Sequence, residues 1–452
     1  MPSPAHHEPG NAGPGLSMFG YYLQLGLRSL RRNPILTALM VVGIGLGIAA
    51  SMTTLTVLHL MGSDPIPSKS DRLHYVQLDN WSGDQPYYDD GRPPDQVTYR
   101  DAVALMEAGK ADRQAAMFKL SMPIQPENPE VKPFQSLGRV TYNDFFAMFE
   151  PRFTYGGPWN SEQDKGHARV VVLSHDTNEK LFGGQDSVGK TVRMDGTDYR
   201  VVGVLADWNL RFKYYDLTNG AFTDEDEFFM PFTTAIDLQK RSTGNNSCWR
   251  SPEGDGWQSY IDSDCVWIQM WVELDSPARL AEYQGFLDRY VGEQKKLGRF
   301  PRPLNNRLLD VNAWMQDQRV VSRDVEVQTG LAFAFLIVCL VNTIGLLLAK
   351  FTRKAGEIGL RRALGASRRE VFTQFLVESG VVGLTGGVLG LMLTGLGLLA
   401  VRALYEDYQS VAQLDWTMVL VTIVLAIVSA LLAGLYPTWR ACRVQPAAQL
   451  KV

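Results

Sequence analysis

One stretch of the sequence matches the pattern G-x-x-x-x-G-K-[ST], which in nucleotide-hydrolysing enzymes holds phosphate groups. It runs from Gly184 through Gly189 to Lys190 and Thr191. A working phosphate loop follows a buried strand and opens a helix, so that backbone N–H groups point at the phosphates. Here the preceding letters DTNEKLF favour a helix, and the β-branched letters that follow favour a strand. We therefore predict that this stretch does not bind nucleotide.

No other arrangement of residues indicates catalysis or metal binding. The six histidines show no metal-ligand spacing, and no Ser/His/Asp set or carboxylate pair stands out. We expect no catalytic residue, no metal site and no cofactor on this chain. A membrane-anchored enzyme would need such a cluster, so the larger elements of the sequence are more informative.

Four stretches are long and apolar enough to cross a lipid bilayer, which takes about 20 residues. They are predicted at residues 35–61, 328–349, 371–401 and 416–437. A soluble core helix rarely stays almost uncharged over such a length. The first stretch follows several arginines, as a secretory signal does, but the apolar part of a signal has only about 7–15 residues. It is therefore predicted to be a retained membrane span.

The distribution of charge predicts how these spans are oriented. Loops rich in Lys and Arg stay in the cytoplasm, which places residues 350–370 and both termini inside and residues 62–327 outside. The formal net charge of the chain is -4 although its cytoplasmic segments are basic, so the outer domain is strongly acidic. This argues against nucleic acid as a partner. The basic residues of the cytoplasmic segment are Lys350, Arg353, Lys354, Arg361, Arg362, Arg368 and Arg369.

The outer domain is predicted to be α+β, because helical and strand patterns both occur along it. It is also predicted to contain two subdomains. Residues 189–208 favour a β-hairpin around the turn dipeptide Asp195-Gly196. Residues 276–296 favour an amphipathic helix. The other segments are predicted to be a disordered N-terminus (1–17), a cytoplasmic amphipathic helix (18–34), a short outer loop (402–415) and a cytoplasmic tail (438–452).

Two cysteines of the outer domain, Cys248 and Cys265, lie in a loop-like stretch rich in Gly, Ser, Asn and Asp. Disulfides form in oxidising compartments outside the cytoplasm, so these two cysteines are predicted to be joined. The alternative is a pair of free thiols. Cys339 in the second span and Cys442 in the tail are predicted to be inert thiols.

The cytoplasmic segment contains a short basic amphipathic stretch. A helix over residues 354–364 places Glu357 four residues before Arg361, a spacing at which opposite charges meet. Its apolar side chains are Ile358, Leu360 and Leu364. Gly365 then ends or tightens the turn. Such a helix could lie on the membrane surface, bind anionic lipid or dock on a cytoplasmic partner, and the residues alone leave all three open.

The string AGEIGLRRALGASRREV in this segment resembles the signature of the FtsX-like/MacB-type ABC transporter permease family, of the type VII ABC superfamily. The strings YLQLGLRSLRRNPILTALMVVGIGLGIA near the start and GLYPTWRACRVQPAAQL near the end also resemble that family. The outer string ARVVVLSHDTNEKLFGGQDSVGKTVRMDGTDYRVVGVLADW resembles its periplasmic core domain, which accounts for the false phosphate loop. The resemblance implies four transmembrane α-helices with a large extracytoplasmic α+β domain between helices 1 and 2.

The resemblance also implies a function and partners. It implies an ABC transporter permease in the cell inner membrane that pairs with an identical or paralogous permease chain and, in some systems, with a periplasmic adaptor. Only about 34 residues precede the first span, so we expect the ATPase, with its ATP-Mg, to be a separate cytoplasmic subunit. This chain would then transmit ATP-driven motion to its periplasmic domain, for efflux or substrate extraction. The alternative is an FtsX-like regulatory protein that controls a cell-wall hydrolase or a sensor.

Carried over position by position, the docking element of the family falls on one run of this sequence. The residues expected to couple this chain to the ATPase are Glu357, Ile358, Arg361, Arg362, Leu364, Gly365 and Ala366. Arg368 and Arg369, which follow them, are expected to contact lipid phosphates instead.

The spans contain G-x-x-x-G pairs, which permit close approach of two helices. We predict that they serve packing within the subunit or at a dimer seam rather than a hinge. The glycine pairs are Gly43 and Gly47, Gly383 and Gly387, and Gly386 and Gly390. A carboxylate inside a span is a functional candidate by default. However, Glu378 lies about two turns from the basic segment, and we predict that it pairs with Arg368 or Arg369.

Overall fold

The computed structural model of the chain describes residues 33–208, 210–404 and 416–442, together with Gln24 and Arg28. These residues form two compact units: an outer unit, Gly62–Val321, and a membrane unit made of the segments on either side of it. Four predicted segments lie wholly or mostly outside the described residues: the disordered N-terminus (1–17), the amphipathic helix (18–34), the outer loop (402–415) and the tail (438–452).

The elements of both units follow one another along the chain. The helices are α1 (Pro34–Met61), α2 (Tyr99–Ala108), α3 (Asp144–Phe149), α4 (Ser161–Lys165), α5 (His175–Phe182), α6 (Phe232–Asp237), α7 (Trp257–Ile261), α8 (Pro277–Lys296), α9 (Val311–Asp317), α10 (Arg323–Arg353), α11 (Ala355–Ala363), α12 (Arg368–Leu404) and α13 (Trp416–Cys442). The strands are β1 (Leu73–Gln77), β2 (Arg113–Gln125), β3 (Phe134–Thr141), β4 (Phe153–Gly156), β5 (Val170–Leu173), β6 (Thr191–Met194), β7 (Thr197–Leu205), β8 (Phe228–Pro231), β9 (Gln269–Glu273) and β10 (Arg307–Asp310). A 3-10 helix spans Tyr214–Asn219.

Four helices of the membrane unit, α1, α10, α12 and α13, are long and apolar enough to cross a membrane. They contain 28, 31, 37 and 27 residues, and each predicted span lies within one of them. α1 packs closely against α10 and α12, and α13 packs against the same two helices. The core between the helices includes Met40, Ile44, Ile48, Met52, Leu336, Phe375 and Ala426.

The faces of these helices that point away from the core are also apolar. Val338 of α10 and Leu396 of α12 are 64% and 61% exposed. Such large apolar surfaces are rare on soluble proteins, whereas lipid tails solvate them well. The membrane unit therefore has the surface expected of helices surrounded by a bilayer.

The outer unit is built on a mixed ten-stranded sheet. The strand order is β10-β1-β9-β2-β3-β8-β5-β7-β4, with β6 pairing with both β2 and β7. The β3–β8 and β5–β7 pairs are parallel, and the other pairs are antiparallel. Two hydrophobic clusters form the core of this unit. One sheet thus runs through the whole unit, and its division into two subdomains stays a prediction.

Local sequence signals explain several of these elements. The predicted hairpin is formed by β6 and β7, which pair Met194 with Thr197 around Asp195 and Gly196, both at positive φ. The predicted amphipathic helix is α8, whose first turn is capped by the Ser276 side chain. The short polar side chain at a helix start accepts a backbone N–H that has no partner within the helix.

The false phosphate loop has the wrong elements on both sides. Helix α5 precedes it and strand β6 follows it, the reverse of a nucleotide-binding loop. Lys190, the residue that would reach the phosphates, places its Nζ 4.9 Å from the centre of the Phe182 ring. The described geometry of this stretch therefore provides a turn into the hairpin and not a phosphate cradle.

A disulfide joins Cys248 and Cys265, whose Cα atoms are 4.2 Å apart. The bond closes a loop of the outer unit between two cysteines 17 positions apart in the sequence. Beside it, Ser247 forms a backbone bridge with Val266, so the two ends of the loop are held together by both kinds of bond.

Candidate functional site

The predicted coupling element is the short helix α11 with the turn that follows it. Arg361 Nη2 donates to Glu357 Oε1 at 2.8 Å, the pair that the spacing predicts. Gly365 has a φ of 104°, a backbone conformation that a residue with a Cβ atom rarely adopts. The glycine thereby lets the chain turn from α11 into α12.

Two contacts fasten α11, and the junction that precedes it, to α12. Arg361 Nη1 donates to Gln374 Oε1 of α12 at 2.9 Å. Lys354, at the junction of α10 and α11, donates to both carboxylate oxygens of Glu378 at 3.2 Å. Arg361 therefore positions the coupling helix as well as lying on it, a role the sequence did not indicate.

The structure pairs Glu378 with lysines and not with the predicted Arg368 or Arg369. Lys350 Nζ lies 2.8 Å from Glu378 Oε1, and both side chains are almost completely buried. Arg368 and Arg369 are on the same helix as Glu378 but nine or ten residues earlier, which is about 14 Å along an α-helix. Lys350 and Lys354, in contrast, lie at the C-terminal end of α10 and reach the carboxylate from there.

Two leucines of the coupling element point away from the membrane unit. Leu360 is 57% exposed and Leu364 is 80% exposed, and they are four residues apart, on one face of the helix. Glu357 and Gly365 are exposed as well, while Arg362 and Ala366 are partly buried. The side chain of Ile358 lies outside the described part of the chain. The exposed surface is thus an apolar pair bordered by charge, and it includes Leu360, which is not one of the residues predicted to couple to the ATPase.

Five of the six predicted packing glycines lie where another helix leaves little room for a Cβ atom. The exception is Gly43, where a Cβ would lie 3.9 Å from Thr343 Oγ1, an ordinary contact. The close contacts are those of Gly47 with α10, of Gly386 and Gly390 with α1, and of Gly383 and Gly387 with α13. All of these contacts are within the subunit.

Replacing Gly383 with alanine is expected to lower the free energy of unfolding of the membrane unit by about 1–3 kcal/mol, as overpacking does. A Cβ there would lie 2.7 Å from the Cα of Ala430, where only a backbone shift makes room. G43A is the matched control and should cause no loss. The measurement is the temperature at which the buried thiol of Cys339 reacts with a thiol-specific dye, in a Cys442→Ser background. Equal melting of the two variants would contradict the packing role.

Replacing Glu378 with glutamine is expected to destabilise the helix ends by about 3–5 kcal/mol, because Lys350 then stays buried without its counter-charge. The same thiol-reactivity melt measures the effect. E357Q serves as the control, since an exposed pair four residues apart contributes only about 0.2–0.5 kcal/mol. An E378Q protein as stable as E357Q would show that the lysine–carboxylate cluster is not structural.

The sequence also matches two family models in the order of these units. Residues 37–289 match the MacB-like periplasmic core domain, and residues 329–446 match the FtsX-like permease C-terminal region. The first match alone covers more than half of the chain. The chain belongs to the MacB/FtsX-type ABC permease family. Its fold is confirmed: four candidate membrane helices, with an α+β domain of the MacB type between the first and second.

Curated relatives match most of the length of this permease. MacB of Escherichia coli K12, named a macrolide export ATP-binding/permease protein, is 24% identical over 386 residues. The match covers 84% of this chain and 53% of the relative, so this chain spans about half the length of that protein. MacB of Shigella flexneri gives the same values.

Two solved structures are similar to this permease. The periplasmic region of MacB from Actinobacillus actinomycetemcomitans is 14% identical, with a TM-score of 0.36, over 57% of this chain and 96% of that one. The extracellular domain of the Gram-positive transporter YknZ is also 14% identical, with a TM-score of 0.33, over 52% of this chain and 99% of that one.

Proposed function

We propose that this permease transmits the ATP-driven motion of a separate cytoplasmic ATPase subunit to its own periplasmic domain, and does not hydrolyse ATP itself. The observation that carries the proposal is the apolar pair Leu360 and Leu364, exposed on a helical element that follows α10 directly and is hydrogen-bonded to α12. Exposed apolar side chains bordered by polar ones mark interaction sites for other proteins or for membranes.

The contacts of α11 give motion a path into the membrane unit. A push on this helix acts on α12 through the Arg361–Gln374 hydrogen bond. It also acts on α10, which is followed by Lys354 and then by α11. The chain continues from Met61 at the end of α1 into the outer unit, and from the outer unit into α10. α1 and α10 are therefore covalently joined to the domain that the motion has to reach, and α12 packs against α1.

The positions of the partners follow from this scheme. ATP-Mg belongs to the partner ATPase, because the one phosphate-loop pattern of this chain has a helix before it and a strand after it. A second permease chain, identical or paralogous, would complete the transporter, and a periplasmic adaptor protein would extend it outward. In this scheme the basic segment and both termini lie in the cytoplasm, the orientation that the charge distribution favours for a permease of the inner membrane.

Transport is favoured over the regulatory alternative by a feature of the outer unit. A protein that handles a substrate needs a groove with apolar walls, whereas a regulator of a hydrolase needs a compact docking patch. The outer unit has a groove of about 680 Å³ with more apolar than polar lining. This volume lies within the usual range of small-molecule sites, about 300–1,000 Å³.

The test is to purify the tagged chain gently from its native membrane and assay ATP hydrolysis. The account expects a stoichiometric ATPase subunit to co-purify, the complex to hydrolyse ATP, and the chain stripped of that subunit to be inactive. ATP hydrolysis by the stripped chain, or co-purification with a cell-wall hydrolase and no ATPase, would contradict it.

A further inference from the structure

The groove of the outer unit lies between three helices and one strand end. Its walls come from α2, α4, α6, the residues 142–144 that follow β3, Gln114 at the start of β2, and His167. No part of this groove was anticipated from the sequence, and the transmission scheme above makes no use of it. Its residues are chemically distinctive in three respects.

Two partly exposed rings, those of Tyr99 and Tyr142, form one side of the groove, and the buried ring of Phe232 lies behind them. The rings of Tyr99 and Phe232 are nearly parallel, with centroids 6.4 Å apart. Tyr142 stacks on Phe232 from a third segment, with a centroid separation of 5.1 Å. Ring faces carry partial negative charge and attract organic cations as well as apolar groups. This wall therefore suits a ligand with both an apolar body and a positive charge.

Carboxylates form the other side. Glu107 is exposed at the edge of the groove, while Asp144 is partly buried and Asp164 is buried. Burial raises the pKa of Asp164 to about 6, although the backbone N–H of Asn143 and the Trp159 indole both donate to its carboxylate. Burial also raises the pKa of Asp144. With a pKa of about 6, the Asp164 carboxyl is still largely ionised near neutral pH, so it favours a positive ligand.

The cationic side chains of the groove only partly offset this charge. Lys165 and His167 also line it, and both are exposed. His167 Nδ1 lies 3.9 Å from Asp237 Oδ1, a further carboxylate of α6. The three carboxylates of the lining outnumber these two basic side chains, so the net charge of the groove is negative.

A buried acceptor is left over beside the carboxylates. Gln114 lines the groove and is only 7% exposed. Its Nε2 donates to the Met106 carbonyl oxygen at 2.5 Å, while its Oε1 has no hydrogen-bond partner among the described residues. An unsatisfied buried acceptor is unfavourable, and a ligand N–H or O–H group, or a water held by the ligand, would satisfy it.

We propose that this groove binds an amphipathic organic cation of drug size, with its apolar body on the rings of Tyr99 and Tyr142 and its charge towards Glu107 and Asp144. The proposal deepens the proposed function by naming a substrate class, and it rests on that function only for the statement that the ligand is transported. Binding itself requires no ATPase, so the two can fail independently.

The experiment measures binding of radiolabelled tetraphenylphosphonium to the full-length chain in lipid nanodiscs, with empty nanodiscs as background. Saturable binding is expected for the wild-type chain. E107Q should weaken the affinity about threefold to tenfold, and Y99L by a similar factor, within the range of partly exposed cation–π contacts. The matched control is E127Q, an exposed glutamate in the β2–β3 turn, which should bind as the wild type does. A thermal melt of each variant verifies that it is folded.

A pH series adds an independent arm, because tetraphenylphosphonium keeps its charge at every pH. Lowering the pH from about 7.5 to about 5 protonates Asp164, whose pKa is about 6, and removes a negative charge from the groove. Affinity should therefore fall as the pH falls. The other ionisable side chains that line the groove are Glu107, Asp144, Lys165 and His167.

Each contrary outcome would overturn the proposal. Binding no greater than that of empty nanodiscs would do so, as would equal affinities for E107Q and E127Q. A third contrary outcome is that the groove binds a protein partner and not tetraphenylphosphonium. Cross-links from position 107 to another protein would detect it. Saturable binding in a chain that purifies without any ATPase would support the groove while contradicting the proposed function.

Discussion

Replacing Arg139 with methionine is expected to destabilise the outer unit by about 3–5 kcal/mol, a large part of the stability of an ordinary domain. Arg139 is completely buried. Its Nε donates to Asp226 Oδ2 at 2.9 Å, and its Nη2 contacts Asp216. Lys213 and the Tyr215 hydroxyl also donate to Asp226, at 3.0 and 2.9 Å.

The loss comes from the two carboxylates that Arg139 neutralises. Burial alone would raise the pKa of Asp226, but the charges of Arg139 and Lys213 outweigh it and hold that pKa well below the usual range. A carboxyl with a lowered pKa in the folded state stabilises the fold above its unfolded pKa, and this contribution is lost as the pH falls through acid values. R139M is expected to remove most of this stabilisation at neutral pH.

The measurement is urea unfolding of the full-length chain followed by tryptophan fluorescence, since several tryptophans are buried in the outer unit. R193M is the control: Arg193 and Asp198 form an exposed pair at 3.6 Å, and such pairs contribute about 0–1 kcal/mol. R139M should also lose less stability than the wild type between neutral and acid pH. An R139M midpoint equal to that of R193M would contradict a structural role for this cluster.

Replacing Leu364 with glutamate is expected to reduce co-purification of the ATPase subunit by at least about tenfold, equivalent to about 1.4 kcal/mol of binding free energy. The substitution would place an unpaired carboxylate in a docking surface, where desolvation is unfavourable. Because Leu364 is 80% exposed, the fold of this chain should be unaffected.

The control for this variant is L297E, in an equally exposed leucine of the outer unit, 74% exposed. L297E should retain the ATPase fully. Both variants should show the same thermal melt as the wild type, which separates loss of docking from loss of folding. Full retention of the ATPase by L364E would remove Leu364 from the docking surface.

The parts of the fold that depend on local signals could be predicted from the sequence. Each membrane span lies inside a longer helix, since uncharged apolar runs of this length favour spanning. The hairpin follows from Asp195-Gly196, which adopts the positive φ values that a tight turn needs. The order of the strands could not be predicted, because pairs such as β2–β9 join segments far apart in the sequence.

Some contacts of the candidate site could likewise be predicted from the sequence and others could not. The Glu357–Arg361 pair was predictable because helical geometry fixes which residues meet four positions apart. The Lys350–Glu378 and Arg361–Gln374 contacts were not, because they depend on how two helices are placed side by side. The groove was missed for the same reason, since its stacked rings come from three separate segments.

The most direct test of the central claim, that α11 docks on an ATPase, is photo-cross-linking in the native membrane. A photoreactive amino acid is placed at position 360 or 364, with position 297 as the control. The account predicts that both cytoplasmic positions form a cross-link to one nucleotide-binding subunit and that position 297 does not. Cross-links from 360 and 364 to lipid alone would contradict it and would make α11 a membrane-surface helix.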